Sequence, residues 1–548
     1  MSAGTRTFGL HETLIEPPAL PPPPTRHALL AFLVVLAAIL QIGTLGWSEI
    51  QNGAEGYYAS TAREMWRTDT WTAPGPPLYY WATIVSFNCF GDTAVGARLP
   101  VALAMVASVA LTFLIGEKLG GYWRGFVAGL IHLCGLGSFI WTRMTTPEPL
   151  FAACLSATIF CVVSGYQQKR KRRLWFALAW ACAALSCLTH GASALILPAA
   201  IFFLLAVFFR EARLRFRLLC HWVNPLIFLA LLLPWFAWLY LRDPIFLRQL
   251  TLTEWLFPFD RARSEGVPLL PFVAAHLAWW FPAVLLVLPG VCLGWRKVFR
   301  PDEFEFADAL PLCWMAVGFI PLMFFSQRQY FDSISIWSAF ALVAAAAWER
   351  TPRPLRLVGL AFTAMAGIAL AGTAGLDLTR VLPELPASWL GVRSVLALAG
   401  LSIVLFSLLA GYFSWRERET LAITILLLGM VPMGLSAAEG LTRYGRYLSF
   451  ADAARFLEPR LGANGEILFE GSALAGSSLN FYLYRPPIML APEAGANSAI
   501  EELADTHPVY LIVAKDRIPY WQERLTERFH IFHQEAVCGG YVIVSNQP

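Results

Sequence analysis

The chain has 548 residues, 57% of them hydrophobic and 14% charged, with a mean hydropathy of +0.56. Charge at roughly half the level of soluble domains, with apolar runs recurring to about residue 437, excludes a multidomain cytosolic enzyme and leaves room for one later domain. The net charge of +4 comes from short Lys/Arg clusters between apolar runs, so it reports topology and gives no reason to expect a nucleic-acid partner.

A proline-rich stretch (Pro17, Pro18, Pro21 to Pro24) leads into the first apolar run, 27–47. That run is longer than a signal-peptide core and lacks a small-residue cleavage site, so it is predicted as a retained span with residues 1–26 as a cytoplasmic tail. Further runs follow at 95–116, 122–142, 149–165, 174–189, 192–209, 219–240, 269–294, 308–325, 332–348, 355–377, 389–412 and 419–437. The expectation is an all-α polytopic bundle over 27–437 with about thirteen transmembrane helices, each crossing roughly 30 Å of hydrocarbon.

Every second loop is basic: Lys118 with Arg124, Lys169 to Arg173, Arg210 to Arg217, Arg296 to Arg300, Arg350 to Arg356, and Arg416 with Arg418. The positive-inside rule puts these in the cytoplasm, and puts loop 48–94, the turns near 143–149 and 190, loop 241–268, turn 326–331 and residues 438–548 on the other side. Eight cysteines fall inside apolar runs without metal-site spacing and read as packing residues. Cys89 and Cys538 share the outer side, where one disulfide could form.

After about residue 438 the pattern changes. Runs 466–470, 509–513 and 540–544 read as short buried strands, and 451–457 and 499–503 as helical stretches, with turn residues such as Gly462 to Gly465 between. Residues 438–548 are therefore predicted as a small extracytoplasmic α/β domain.

Loop 48–94 is polar, acidic and aromatic at a membrane boundary. Tyr58, Ala62, Met65 and Trp66 recur at helical spacing while Arg63, Glu64 and Arg67 fall elsewhere on the turn, the pattern of an interfacial helix. Its aromatic residues fit either a binding surface or a belt that anchors the bundle.

Glu55 with Tyr58-Ala59 and Ala62 to Met65, Pro76-Pro77-Leu78 with Tyr80-Trp81, and Gly96 to Pro100 form one ordered set of short motifs. The set continues in Thr145-Thr146 before Pro149-Leu150, in Leu188-Thr189-His190-Gly191, and in Phe324-Phe325-Ser326 with Arg328 and Tyr330. In these residues the chain resembles the GT-C glycosyltransferases that use polyprenyl-phosphate sugars, close to the lipid A aminoarabinose transferases and the protein O-mannosyltransferases. The resemblance implies a multi-span enzyme of the bacterial inner membrane, fed by a lipid-linked sugar, with its active site and often a C-terminal domain on the extracytoplasmic side. Three positions depart from the family pattern. Ala54-Glu55 stands where Asp-Glu is usual, the acid of Thr-Thr-Asp-x-Pro moves to Glu148, and the lysine expected before Pro76-Pro77 is missing, with His190 preceding Gly191.

Transfer requires a base for the acceptor and polar or cationic groups for the departing lipid phosphate. Glu55 is the candidate base, against a structural ion pair with Arg63 or Arg143, and Glu148 is a second acid, against a solvated cap. Arg328, His190 and Arg63 are candidate phosphate contacts, and Tyr58, Tyr80 and Tyr330 candidate substrate-binding residues. Arg328 could instead snorkel to headgroups, and His190 could be a hydrogen-bonded turn residue. Glu254, Asp260, Arg261 and Arg263 could line an acceptor entrance. No cofactor is specified; a divalent cation is compatible with the chemistry, and no metal motif, phosphate loop or nucleophile elbow stands out. The expected partners are a polyprenyl-phosphate sugar, an extracytoplasmic lipid, glycan or protein acceptor, and membrane lipids. Rival readings are a silent scaffold of the same fold that binds lipid phosphate or a partner enzyme, a flippase, and a ligase using a lipid-diphosphate glycan.

Overall fold

The computed structural model describes residues 23–168, 170–250, 266–285, 305–325, 327–376, 389–445, 447–462, 464–491, 496–504, 507–527 and 533–546. Glu254, Asp260, Arg261, Arg263 and the basic cluster 296–300 lie outside them. Among the described residues, nine helices are long and apolar enough to cross a membrane. The first nine helices are α1 (Pro23–Ile42), α2 (Ala54–Arg67), α3 (Leu78–Phe90), α4 (Ala94–Gly120), α5 (Tyr122–Cys134), α6 (Leu136–Trp141), α7 (Glu148–Gln167), α8 (Arg172–His190) and α9 (Ser193–Phe208). The bundle continues through Val223–Arg242, Leu269–Trp279, Phe306–Phe324, a 3-10 turn Tyr330–Ile336 running into Trp337–Arg350, then Arg353–Thr373, Trp389–Trp415, Glu419–Leu428 and Met430–Gly445.

These elements follow the apolar runs closely, with two instructive differences. The run 122–142 is two helices, because Gly135 takes an extended conformation between α5 and α6. The last apolar helix continues past residue 437 to Gly445. A broken helix of this kind is tolerated at membrane depth where neighbouring protein satisfies the freed backbone groups. The Ser138 hydroxyl does so here, donating to the His132 carbonyl across the break.

Residues 466–545 build a five-stranded sheet of β1 (Glu466–Glu470), β2 (Ile488–Leu490), β3 (Val509–Ala514), β4 (His533–Cys538) and β5 (Tyr541–Ser545), in the order β2-β1-β3-β5-β4. β1 pairs in parallel with both β2 and β3, which explains the nearly continuous apolar reading of β1 and β3: strands covered on both faces need no polar alternation. Ala499, Ile500, Trp521 and Leu525 pack one face. Phe450, Ala453, Leu457 and Leu479 pack the other. Cys89 and Cys538, between which a disulfide could have formed, are both free thiols.

The sheet region docks on the segment between α1 and α2 through a dense polar seam. The Tyr482 hydroxyl donates to Glu49 at 2.9 Å and accepts from the Ile50 amide at 2.7 Å. The Ser478 hydroxyl donates to the Asn52 side chain at 2.6 Å, and the Ser477 hydroxyl accepts from the Gly53 amide at 3.0 Å. Burial, and then the Glu49 carboxylate, push the Tyr482 phenol up, so it stays a proton donor. Gly56 makes the close approach possible, since a Cβ there would meet Ser477 Oγ at 2.5 Å, the Gln51 carbonyl at 2.7 Å and the Ser478 amide at 2.8 Å.

Two outcomes test this seam. Gly56→Val must push backbone apart, a cost of about 1–3 kcal/mol. Tyr482→Phe leaves the Ile50 amide and Glu49 without their partner, again about 1–3 kcal/mol. Both variants should expose the chain near residues 446–450 to limited proteolysis faster than wild type in the same lipid; unchanged cleavage rates would show the seam to be energetically silent.

Candidate active site

The end of the bundle covered by the sheet region gathers most of the chemistry. Glu55 lies in the first turn of α2 and is 2% exposed. Its Oε1 accepts from Arg98 Nε at 2.8 Å and its Oε2 from the Gln51 amide at 2.9 Å. Arg98, fully buried in α4, also donates to the carbonyls of Leu45, Ser48 and Glu49. The ion pair weighed for Glu55 with Arg63 or Arg143 is therefore made with Arg98 instead. A charge placed in an apolar helix needs such satisfaction, and Arg98 directs three hydrogen bonds to the chain that leaves α1 and one to Glu55 in α2.

Arg63 lies elsewhere. Its Nε bonds Asp92 at 2.8 Å and its Nη1 the Leu483 carbonyl at 3.0 Å, while its guanidinium packs on the Phe481 ring. It belongs to the seam with the sheet region, which separates it from the other expected phosphate contacts. Arg143 is 1% exposed and donates to the carbonyls of Phe139 and Leu40 and to the Thr44 hydroxyl. Burial, with the nearby Arg98 cation second, lowers its pKa.

The Thr145 hydroxyl donates to the Glu55 carbonyl at 2.8 Å and so fastens the turn before α7 to α2. That turn delivers Glu148, 1% exposed, to the first turn of α7, between Pro147 and Pro149. A carboxylate there is favoured by the helix dipole, and proline near the first helical position sacrifices no hydrogen bond. At the far end of α8, His190 places Nε2 4.0 Å from Glu148 Oε1, and its ring stacks on Phe151 at 4.6 Å. His190 Nδ1 lies 2.8 Å from the Ser193 hydroxyl, which itself donates to the His190 carbonyl at 3.0 Å. With that proton committed, Nδ1–H is the donor to Ser193. In the neutral ring Nε2 then presents its lone pair on the side of Glu148, at ionic-contact distance and beyond hydrogen-bond reach.

Tyr79, which the sequence reading passed over, feels the charge of both acids. It is 1% exposed; burial chiefly, with Glu55 and Glu148 adding, pushes its phenol up and keeps it a neutral donor. Its ring meets Tyr58 at 5.6 Å and Tyr80 at 5.4 Å, and Tyr58 meets Tyr80 at 6.2 Å. The expected substrate-wall tyrosines thus form one aromatic cluster with Tyr79.

Arg328 and Tyr330 enter from another direction, Tyr330 beginning the turn that packs against α7. Arg328, 8% exposed, donates to the Leu322 and Met323 carbonyls at 2.8 and 3.1 Å and to the Val267 carbonyl at 2.9 Å, capping the end of helix Phe306–Phe324. A cation suits a helix C-terminus. Tyr330 packs edge-on against Trp279 at 5.3 Å, and Trp279 against Trp141 at 5.5 Å. The structure thus brings Glu55, Glu148, His190, Tyr58 and Tyr80 together, sets the turn beginning at Tyr330 against α7, holds Arg328 at the end of helix Phe306–Phe324, and keeps Arg63 in the seam.

The family described as dolichyl-phosphate-mannose-protein mannosyltransferase matches residues 74–238. An undecaprenyl phosphate-α-4-amino-4-deoxy-L-arabinose arabinosyl transferase of Sodalis glossinidius is 27% identical over 318 residues, 55% of this chain and 54% of that protein. An uncharacterised protein of Aquifex aeolicus is 26% identical over 184 residues, 31% of this chain and 36% of its own. The chain thus spans about half, or less, of the length of these curated relatives. Among solved structures, ArnT from Cupriavidus metallidurans in the apo state superposes with a TM-score of 0.79 at 19% identity, over 95% of this chain and 98% of that one. The same protein bound to undecaprenyl phosphate gives 0.78 at 19% identity, with the same coverage. The Archaeoglobus fulgidus oligosaccharyltransferase in the apo form gives 0.53 at 12% identity, over 90% and 70% of the two chains. The chain has the GT-C fold in a multi-pass membrane bundle, as the sequence resemblance implied.

The buried pair gives a stability test. Glu55→Ala or Arg98→Ala strands the other charge, at about 3–5 kcal/mol each, so both should lower the thermal midpoint in lipid markedly. The double variant should lose less than the two single losses combined; strict additivity would show that the two side chains are not coupled.

Proposed function

We propose that the chain is a bacterial inner-membrane glycosyltransferase that moves a sugar from a polyprenyl-phosphate carrier to an extracytoplasmic acceptor. In this reading the basic loops face the cytoplasm, and the Glu55–Glu148 end of the bundle and the sheet region, residues 438–548, face outward. The observation that carries it is the agreement of fold with ArnT along almost the whole chain, one of those structures holding undecaprenyl phosphate. The arabinosyl transferase relatives support a lipid-phosphate donor.

Within that reaction we assign the two glutamates different roles. Glu55 has both oxygens engaged, so its part is to hold α2 against α4 through Arg98. Glu148 takes the acid/base role: it is buried, stands at a helix N-terminus, and faces His190 Nε2. As the acceptor oxygen or nitrogen attacks the anomeric carbon, its proton passes to Glu148, and His190 stabilises the resulting charge state. The bond from that carbon to the phosphate oxygen breaks, leaving the lipid phosphate as the departing anion. Arg328, with Tyr330 beside it, is the cation assigned to that phosphate, and Tyr58 and Tyr80 wall the sugar.

A second reading rests on one observation: Ala54 occupies the place of the usual first carboxylate, and Arg98 immobilises its neighbour Glu55. A scaffold that binds lipid phosphate without turnover would look the same at these positions. Transfer of radiolabelled sugar from a panel of polyprenyl-phosphate donors by the purified protein in lipid separates the two. Glu148→Gln should reduce kcat by about a hundredfold or more with donor binding retained. Arg328→Ala should weaken donor binding first. Saturable donor binding without transfer to any acceptor would establish the scaffold, and full activity in Glu148→Gln would remove that residue from the chemistry.

A further inference from the structure

A second cluster of ligating side chains lies in the sheet region, remote in sequence from Glu55, Glu148 and His190. Glu466, Glu502 and His507 each offer one donor atom, all within 4.8 Å of one another. They come from three elements: the first residue of β1, the last turn of helix Ala496–Leu503, and the connection entering β3. The backbone around two of them is firmly held. The Glu466 amide donates to the Pro508 carbonyl at 2.9 Å. The Asn546 side chain donates to the His507 carbonyl at 2.9 Å and accepts from the Val509 amide at 2.9 Å.

Two carboxylates so close together repel unless a cation lies between them. Among the described residues neither Glu466 nor Glu502 is ion-paired with Lys or Arg; the partner of Glu466 is His507, Nε2 to Oε2 at 3.8 Å. Glu466 Oε2 is buried and accepts no hydrogen bond among them.

We propose that Glu466, Glu502 and His507 form a divalent transition-metal site, with Zn2+ the favoured ion, which clamps helix Ala496–Leu503 to the N-terminal ends of β1 and β3. One imidazole and two carboxylates are a familiar Zn2+ donor set, and three protein ligands leave a fourth position for water. Metal–ligand bonds of about 2.0–2.2 Å put tetrahedral donors roughly 3.4 Å apart. Glutamate side chains reach that spacing by rotamer adjustment while the anchored strands stay in place. The site goes beyond the transfer reaction, and its test does not depend on activity.

The test uses the full chain in lipid nanodiscs, chelator-stripped and free of any polyhistidine tag, titrated with Zn2+ in excess Mg2+. Wild type should take up one Zn2+ per chain and unfold at a higher temperature when loaded. His507→Ala and Glu502→Gln should each bind roughly tenfold or more weakly and lose the thermal shift, while far-UV dichroism and undecaprenyl phosphate binding stay as in wild type. Affinity should fall as the pH drops, because ligation needs a neutral imidazole and ionised carboxylates. His507→Cys, which keeps a Zn2+ ligand, should restore binding. No saturable uptake by wild type, or unchanged affinity in both His507→Ala and Glu502→Gln, would overturn the site.

Discussion

Carbonyl oxygens at the ends of membrane helices have no partner within the helix and little access to water, and this protein answers that constraint with buried arginines. Arg98 gathers the carbonyls of Leu45, Ser48 and Glu49 beyond α1. Arg143 takes those of Leu40 and Phe139, and Arg328 those of Leu322 and Met323. Planar guanidinium groups suit the task because one side chain reaches several oxygens at fixed angles, which lysine does not. The position of Glu55 follows from it: its carboxylate neutralises Arg98, and α2 is drawn onto α4.

Building a site on such anchors leaves few free charges. The two acids expected to work together take opposite parts, one fixed by a guanidinium and a backbone amide, the other facing the His190 imidazole. Tyr79 feels both carboxylates, and burial above all keeps it a neutral phenol. Environment, more than residue type, divides labour between two glutamates of the same intrinsic acidity.

Much of this was legible along the chain because membrane helices announce themselves by length and hydropathy, and covered parallel strands by unbroken apolar runs. β1 and β3 were read correctly for that reason. β2, three residues long, and β4, whose His533, Gln534 and Glu535 face an edge, carry no such signal. In the site, Glu55, Glu148 and His190 stood out as polar residues at span ends. Their partners did not, because pairing is decided in three dimensions: Arg98 is 43 residues from Glu55, and nothing local points from one to the other. Arg98 was visible inside a shared motif, and its charge within an apolar helix was the signal that it needed a counter-charge. Tyr79 was hidden among neighbouring aromatic residues that read as a membrane belt.

The seam at Gly56 also bears on the order in which the molecule is completed. Ile50 and Tyr482 are separated by 432 positions, and Gly53 and Ser477 by 424. Chain emerges from the ribosome in sequence, so the segment after the first span is already at the membrane long before its hydrogen-bonding partners exist. Its amides must rely on water or transient partners until residues 477–482 are made. Closing so long a loop is slow compared with pairing neighbouring helices. A segment made early is thus among the last to reach its final form, and the Glu55 end of the bundle matures only after residues 477–482 have joined it.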